Sequence, residues 1–276
     1  MKQYCKTRRL LPGFRLTLGF TLFYLSVVVL IPMSAMILRG SGMGWGGFWK
    51  YVLDPRAIAA YKLSLVASMT AALLNVLFGT LLAWVLVRYT FPGRRLMDAL
   101  VDVPFALPTA VAGLTLGNLY GPQGWIGQWL APMGIAGVNS RFGVVIALMF
   151  VSLPFVVRTV QPVLETFEQE VEEAAATLGA GRWRTFFRVV LPTLLPSIIT
   201  GFALAFARAL GEFGSIQFVS GSIPFRTEIA PQILIQHLDE HETAGAIAVA
   251  LFLLIISFLI LGTINLIESW ARRFQN

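Results

Sequence analysis

Residues 172–192, EEAAATLGAGRWRTFFRVVLP, form the longest polar interruption in a chain otherwise built of apolar blocks. Val171, Ala174, Ala175 and Leu178 recur at i, i+3, i+4 and i+7, which is one face of a helix. Glu165, Glu168, Glu170, Glu172 and Glu173 crowd its beginning, where the helix dipole favours negative charge. Gly179-Ala180-Gly181 breaks it, because glycine allows the backbone to reverse. A second short helix is expected from Arg182 to Val190, carrying Arg182, Arg184 and Arg188. Pro192 and Pro196 follow, at positions compatible with a first helical turn. The expected element is a helix-turn-helix between two hydrophobic spans. A small amphipathic helix of this kind can lie in a partner's groove and transmit its movement. Periodicity alone favours the plainer reading, a solvated loop that happens to be helical.

The chain has 276 residues, of which 13% are charged, about half the share of roughly 25% usual in soluble domains. Mean hydropathy is +0.74. That composition belongs to an all-α polytopic membrane protein with one membrane domain over residues 1–276. A roughly 30 Å hydrocarbon layer needs about 20 helical residues. Six runs qualify, at about 16–38, 63–87, 96–120, 142–164, 197–219 and 244–267, with an inward loop at about 165–196. The first run lacks a small-residue cleavage site and is longer than a signal-peptide core, so it is expected to stay in the mature protein.

Lys and Arg set the orientation. Lys2, Lys6, Arg8, Arg9 and Arg15 precede the first run, and Arg88, Arg94 and Arg95 follow the second. Arg158, Arg182, Arg184 and Arg188 belong to the inward loop and its border, and Arg272 and Arg273 to the C-terminus. The opposite side holds only Arg39, Lys50, Arg56, Lys62, Arg141 and Arg226. By the positive-inside rule, both termini and residues 172–192 face the cytoplasm. The net charge of +7 therefore reads as membrane orientation and not as nucleic-acid binding. Trp45, Trp49, Tyr51, Trp125 and Trp129 at the outer edges suit an interface belt or ordinary loop packing.

Several chemistries are excluded. The lysines, Lys2, Lys6, Lys50 and Lys62, do not follow a glycine, so no P-loop is present. Gly42, Gly44 and Gly47 match a dinucleotide fingerprint by letter, but after a helix and not after a strand. His237 and His241 stand one turn apart near Asp239 and Glu240, yet Leu238 occupies the place where a zinc protease needs glutamate. A polar outer helix is expected there, with no metal. Cys5, the single cysteine, allows no intramolecular disulfide. No catalytic residue is expected on this chain.

Charges inside the runs are costly, at least about 2.5–3.5 kcal/mol each on insertion scales, so they need partners or a polar cavity. Arg208 and Glu212 are four residues apart in the fifth run, able to pair. Two readings stand: an anion contact or gate along a pathway, or a neutralised pair that locks helices. Asp98 and Asp102 can meet Arg94, Arg95 or Arg158 in a structural border role. Pro104, Pro108, Pro154 and Pro162 are expected to bend the third and fourth runs. Small residues at four-residue spacing, Gly113 with Gly117 and Ala203, Ala207, Gly211 and Ser215, predict close helix approach.

Glu173-Ala174-Ala175, then Gly179 after three residues, then Val189-Val190-Leu191-Pro192, resembles the "EAA" signature of bacterial ABC importer permeases. The resemblance narrows over nearly the whole chain. Leu11-Pro12-Gly13-Phe14, AAYKLSL (59–65), RYTFPGRRLMDALVDVPFALPTAVAGLTL (88–116), PFVVRTVQPVLE (154–165), ARALGEFGSIQFVSG (207–221) and RTEIAPQIL (226–234) resemble the T-type permease subunits of sulfate/thiosulfate ABC importers. Residues 210–214, Leu-Gly-Glu-Phe-Gly, are shared with molybdate and tungstate permeases. The stretch Phe105 to Gly113 points to the T-type over its W-type sibling.

The resemblance implies a six-span type I importer permease in the bacterial inner membrane, not itself an enzyme. Its implied partners are a W-type sibling permease, two cytosolic ATPase subunits that carry the ATP and Mg, a periplasmic sulfate/thiosulfate-binding protein and membrane lipid. Glu172, Glu173, Ala174, Ala175, Leu178, Gly179 and Arg182 would couple to the ATPase. Pro108, Thr109, Arg208 and Glu212 are candidates for the pathway or its gate. The alternatives are another tetrahedral-oxyanion permease, a carrier that couples flux to ions through Asp98, Asp102, Arg208 and Glu212, and a scaffold that transports nothing.

Overall fold

The computed structural model describes residues 14–273, and within them every element is helical. Cys5, the basic residues before Phe14, the Leu11-Pro12-Gly13 part of the resemblance and Asn276 lie outside the described residues. Helix α1 (Phe14–Leu25) runs through a π turn (Ser26–Leu30) into α2 (Ile31–Ser41), and α3 is Gly44–Val52. Then come α4 (Pro55–Arg88), α5 (Arg94–Val101), α6 (Val103–Ala106), α7 (Thr109–Tyr120) and α8 (Gly127–Leu130). Next are α9 (Arg141–Thr166), α10 (Gln169–Thr177) and α11 (Arg182–Thr185). A second π turn (Phe186–Val190) leads into α12 (Leu191–Leu210), followed by α13 (Gly214–Val219), α14 (Ala230–Asp239) and α15 (Thr243–Arg273).

Among the described residues, five helices are long and apolar enough to span a membrane: Leu16–Ser41, Pro55–Arg88, Arg141–Thr166, Arg182–Leu210 and Thr243–Ile264. The third run of the sequence, 96–120, is not one of them. It divides into α5, α6 and α7, the longest being 12 residues, or about 18 Å. The cause is local. Pro104 and Pro108 bring no N–H, and the residue before a proline is driven out of the α region. Leu107 accordingly sits extended at ψ 133°, and Pro108 at ψ 131° caps α7. The fourth run behaves differently: α9 passes through Pro154 and Pro162 as a single helix. The fifth run also differs from expectation. Its helix stops at Leu210, and residues 211–213 separate it from α13.

Helix α4 begins before the predicted 63. Asp54 accepts hydrogen bonds from the Arg56 and Ala57 N–H groups (3.0 and 3.3 Å), and Pro55 occupies the first turn. These are the cap and the proline that favour a helix start.

The core is a three-helix packing of α4, α9 and α12. Leu86 of α4, Val156, Val157, Val160 and Leu164 of α9, and Leu194 and Phe206 of α12 are buried together. Close approach rests on glycine. A Cβ on Gly201 would meet Thr159 Oγ1 at 2.4 Å, and one on Gly113 would meet the Ser215 carbonyl oxygen at 2.4 Å. Gly117 similarly faces the Phe218 carbonyl. Gly113 and Gly117 thus seat α7 against α13, as their spacing predicts. Gly211 does not join the packed stripe, because it lies exposed beyond the end of α12.

Candidate functional site

Two places in this bundle concentrate the candidate residues. The first is the segment around α10, between α9 and α11. Helix α10 starts with Glu170 and Glu172 in its first turn. It ends where Gly179 adopts φ +80°, a conformation that favours glycine. The Gly179 N–H donates to the Ala176 carbonyl (2.9 Å) and the Ala180 N–H to the Ala175 carbonyl (3.0 Å), closing the C-terminus.

The apolar face predicted from periodicity is mostly open: Val171 is 41% exposed and Leu178 88% exposed, Ala174 is also exposed, and Ala175 is half-buried. Burying apolar area is worth about 25 cal/mol per Å², so an open row of this kind favours a partner. Glu173 stands exposed beside it.

Glu172 turns the other way. Its carboxylate accepts from Arg88 Nη2 at 2.5 Å, at the C-terminal end of α4. The Arg88 guanidinium lies over the Trp84 ring (5.6 Å) and the Phe167 ring (5.7 Å). Glu172 therefore fastens α10 to α4, while Glu173 and Leu178 face outward. Arg182, Glu172, Ala176 and Ala180 line a cavity of about 310 Å³ between α10, α4 and α11.

The second short helix is not separate from the span that follows it. Helix α11, the π turn and α12 form one helix of 29 residues, about 43 Å long. The expected helix-turn-helix is therefore a short helix and a turn joined directly to a span. The reason is that neither Pro192 nor Pro196 interrupts the helix, Pro192 falling in the first turn of α12. The π turn absorbs the change of pitch just before Leu191.

The second place lies at the far end of that helix. Arg208 Nη1 and Glu212 Oε2 are 2.5 Å apart. The pair forms across the helix end rather than along one helix, since Glu212 lies beyond Leu210. Glu212 is 2% exposed, and its other oxygen accepts from the Ser215 N–H (2.8 Å) and Ser215 Oγ (3.0 Å). The carboxylate is thus fully engaged. The Arg208 side chain remains 32% exposed. Thr109 comes close to the same corner: a Cβ on Gly214 would meet Thr109 Oγ1 at 2.2 Å. Pro108 is exposed at the start of α7. The structure therefore gathers Pro108, Thr109 and the Arg208–Glu212 segment around the α7–α13 contact, and places the coupling residues at the other end of the helix.

Three further ion pairs, made by two arginines, hold the frame. Arg158 donates bidentately to Asp102 (2.8 and 2.6 Å) and also to Asp98 Oδ1 (2.7 Å), so it is Arg158 and neither Arg94 nor Arg95 that meets the two aspartates. This pins α5 and Asp102, the residue before α6, to α9. Arg56 donates bidentately to Glu228 (2.7 Å twice) and to Gln236 Oε1 (2.5 Å). Neither the Arg88–Glu172 nor the Arg56–Glu228 pairing was legible from spacing. His237 Nδ1 lies 3.2 Å from Glu242 Oε2 and its ring stands edge-on to Tyr51, and His237 itself belongs to helix α14.

Residues 75–273 match the family described as "Binding-protein-dependent transport system inner membrane component". The chain is similar to the sulfate transport system permease protein CysT of Escherichia coli (strain K12), 47% identical over 263 residues and 95% of each chain. It is similar to the protein of the same description from Synechocystis, 45% identical over 256 residues, 93% of this chain and 90% of that one. Among solved structures it is similar to a bacterial ABC transporter involved in the import of the acidic polysaccharide alginate. The TM-score is 0.77 at 17% identity, over 96% of this chain and 97% of the other. The alginate ABC transporter in complex with an alginate pentasaccharide-bound periplasmic protein gives a TM-score of 0.76 at 19% identity, over 95% and 94%. At these identities the likeness to the solved structures concerns the fold.

Proposed function

The chain belongs to the family of binding-protein-dependent transport system inner membrane components, and from that premise we propose that it is the membrane permease subunit of an ATP-driven sulfate importer. It is a multi-pass inner-membrane protein and not itself an enzyme. Its engine sits on other chains: two cytosolic ATPase subunits that bind ATP and Mg. A W-type sibling completes the pathway, and a periplasmic binding protein delivers sulfate or thiosulfate. Both termini and α10 face the cytoplasm in this reading, in keeping with the distribution of Lys and Arg.

The observation that carries the proposal is the open face of α10, Val171, Ala174 and Leu178 with Glu173 beside them, on an element that is itself fastened inward by Glu172. An exposed apolar row on a fastened helix suits a docking lever. Movement of α10 passes to α4 through Arg88 and, through the Gly179 turn, to the long helix that begins at Arg182. A helix of about 43 Å carries that movement to Arg208 without needing any flexible joint.

At the far end, Arg208 offers guanidinium N–H groups that suit a tetrahedral oxyanion. Glu212 offsets its charge, so the contact with sulfate stays weak and transient, as passage requires. Selection then rests mainly with the binding protein. The test is uptake of labelled sulfate by the assembled importer carrying Gly179→Pro. Proline holds φ near −65° and cannot adopt the +80° of this turn. ATP hydrolysis should persist while uptake is lost; wild-type uptake would refute the lever.

A further inference from the structure

We propose that the outward face of residues 183–188 binds the headgroup of an anionic phospholipid in the inner leaflet. The helix that begins at Arg182 has two unlike sides here. Arg182, Thr185, Phe186 and Val190 line the cavity shared with α10 and α4. The opposite side carries Trp183, Arg184, Phe187 and Arg188, all exposed. Trp183 is 78% exposed and Phe187 55%, and their rings stack at 6.0 Å with an 18° interplanar angle. Arg184 and Arg188 are four residues apart beside that stack. Among the described residues neither arginine takes part in an ion pair.

Position points to the bilayer surface. A hydrocarbon crossing needs about 20 residues. The continuous helix has 29, and three of its four charged residues, Arg182, Arg184 and Arg188, fall within its first seven, so its first turns extend past the hydrocarbon on the α10 side. The exposed apolar surface goes on into the span at Leu195, 46% exposed. An indole stacked on a second ring suits the headgroup layer, where a polar edge and an apolar body are both accommodated. Guanidinium groups one turn apart suit a phosphodiester, which they can hold bidentately. Zwitterionic lipid offers the same tail without net charge, so charge complementarity favours an anionic headgroup. This surface is distinct from the open face of α10. The inference rests on the α10 side being cytoplasmic only for the name of the leaflet.

The test uses the full importer in nanodiscs of phosphatidylcholine doped with brominated phosphatidylglycerol or, separately, brominated phosphatidylcholine. The chain has seven tryptophans, so the Trp183 signal is the difference between wild type and Trp183→Phe. Quenching of Trp183 should saturate at a lower mole fraction of phosphatidylglycerol than of phosphatidylcholine. Arg184→Gln with Arg188→Gln should weaken that preference roughly thirtyfold, and lysine at both positions should restore part of it. Equal quenching by the two lipids would overturn the proposal. So would no quenching by either, which would mean that a protein partner covers this face. The comparison of wild type with Trp183→Phe decides the matter even if the double variant fails to assemble.

Discussion

Arg88 and Glu172, 84 residues apart in sequence, meet at 2.5 Å where α4 ends and α10 begins. This contact makes α10 part of the bundle. The ring faces of Trp84 and Phe167 flank the guanidinium, so the pair is partly shielded from water. A charge-assisted bond in such a place is stronger than an open surface pair.

Arg88→Gln should loosen α10 from α4 while leaving its outer face unchanged. The expected result is an importer that still binds its ATPase but transports about tenfold less per ATP hydrolysed, the equivalent of about 1.4 kcal/mol of coupling. Parallel assays of sulfate uptake and phosphate release check this. A matching loss of uptake and hydrolysis would place Arg88 in assembly instead.

Leu178, on the predicted α10 face, is 88% exposed. Leu178→Asp should leave the permease inserted and folded, because so little of this side chain is buried in the bundle. It should abolish recovery of the ATPase when the permease is purified through its own tag. Full recovery of the ATPase would remove this face as the docking surface.

Glu212 is buried with all of its oxygens engaged, whereas Arg208 is partly exposed. The two residues should therefore fail differently. Glu212→Ala leaves two orphaned donors on Ser215, a defect of about 1–3 kcal/mol, so assembly falls. Arg208→Ala would strand the buried Glu212 carboxylate without its counter-charge and cost assembly as well. Arg208→Lys keeps that charge but not the guanidinium fork, so it should leave assembly near wild type and lower sulfate uptake about tenfold or more. Detergent-stable yield and uptake, measured on Glu212→Ala and Arg208→Lys, separate the roles. Wild-type uptake in Arg208→Lys would make the pair purely structural.

Gly113 allows α7 to touch the backbone of α13. Gly113→Leu should prevent that contact, since even a Cβ would come within 2.4 Å of the Ser215 carbonyl. Overpacking of this kind costs about 1–3 kcal/mol or more. The thermal midpoint of the purified permease should fall by several degrees. An unchanged midpoint would show that α7 is free to move off α13.

The engine is expected to lie elsewhere. The purified chain, reconstituted alone, should pass no sulfate with or without an imposed ion gradient, and uptake should appear only when the sibling, both ATPases and the binding protein are added with ATP. Flux from the chain alone would favour an ion-coupled carrier through Arg208 and Glu212.

The amino-acid sequence by itself determined that this is a helical membrane protein, that α10 carries an apolar face, that Gly179 ends it, and that Arg208 and Glu212 pair. Each of these is local. Helical period, glycine at a left-handed turn and i, i+4 charge spacing are all written within a few residues. Even the break of the third run at Leu107-Pro108 was present as prolines, though run length alone read it as a span.

Tertiary structure decided which side of α10 is used. Glu172 and Glu173 are adjacent and chemically identical, yet one is bound to Arg88 and the other is exposed. Only the packing of α4 against α9 and α12 puts Arg88 where it can choose between them. The same holds for Arg158, which took both aspartates although Arg94 and Arg95 were nearer in sequence. A charge selects its partner by distance in the folded bundle, and that distance is fixed by how Gly79 and Gly201 let α4 and α12 approach Val156 of α9, not by spacing along the chain.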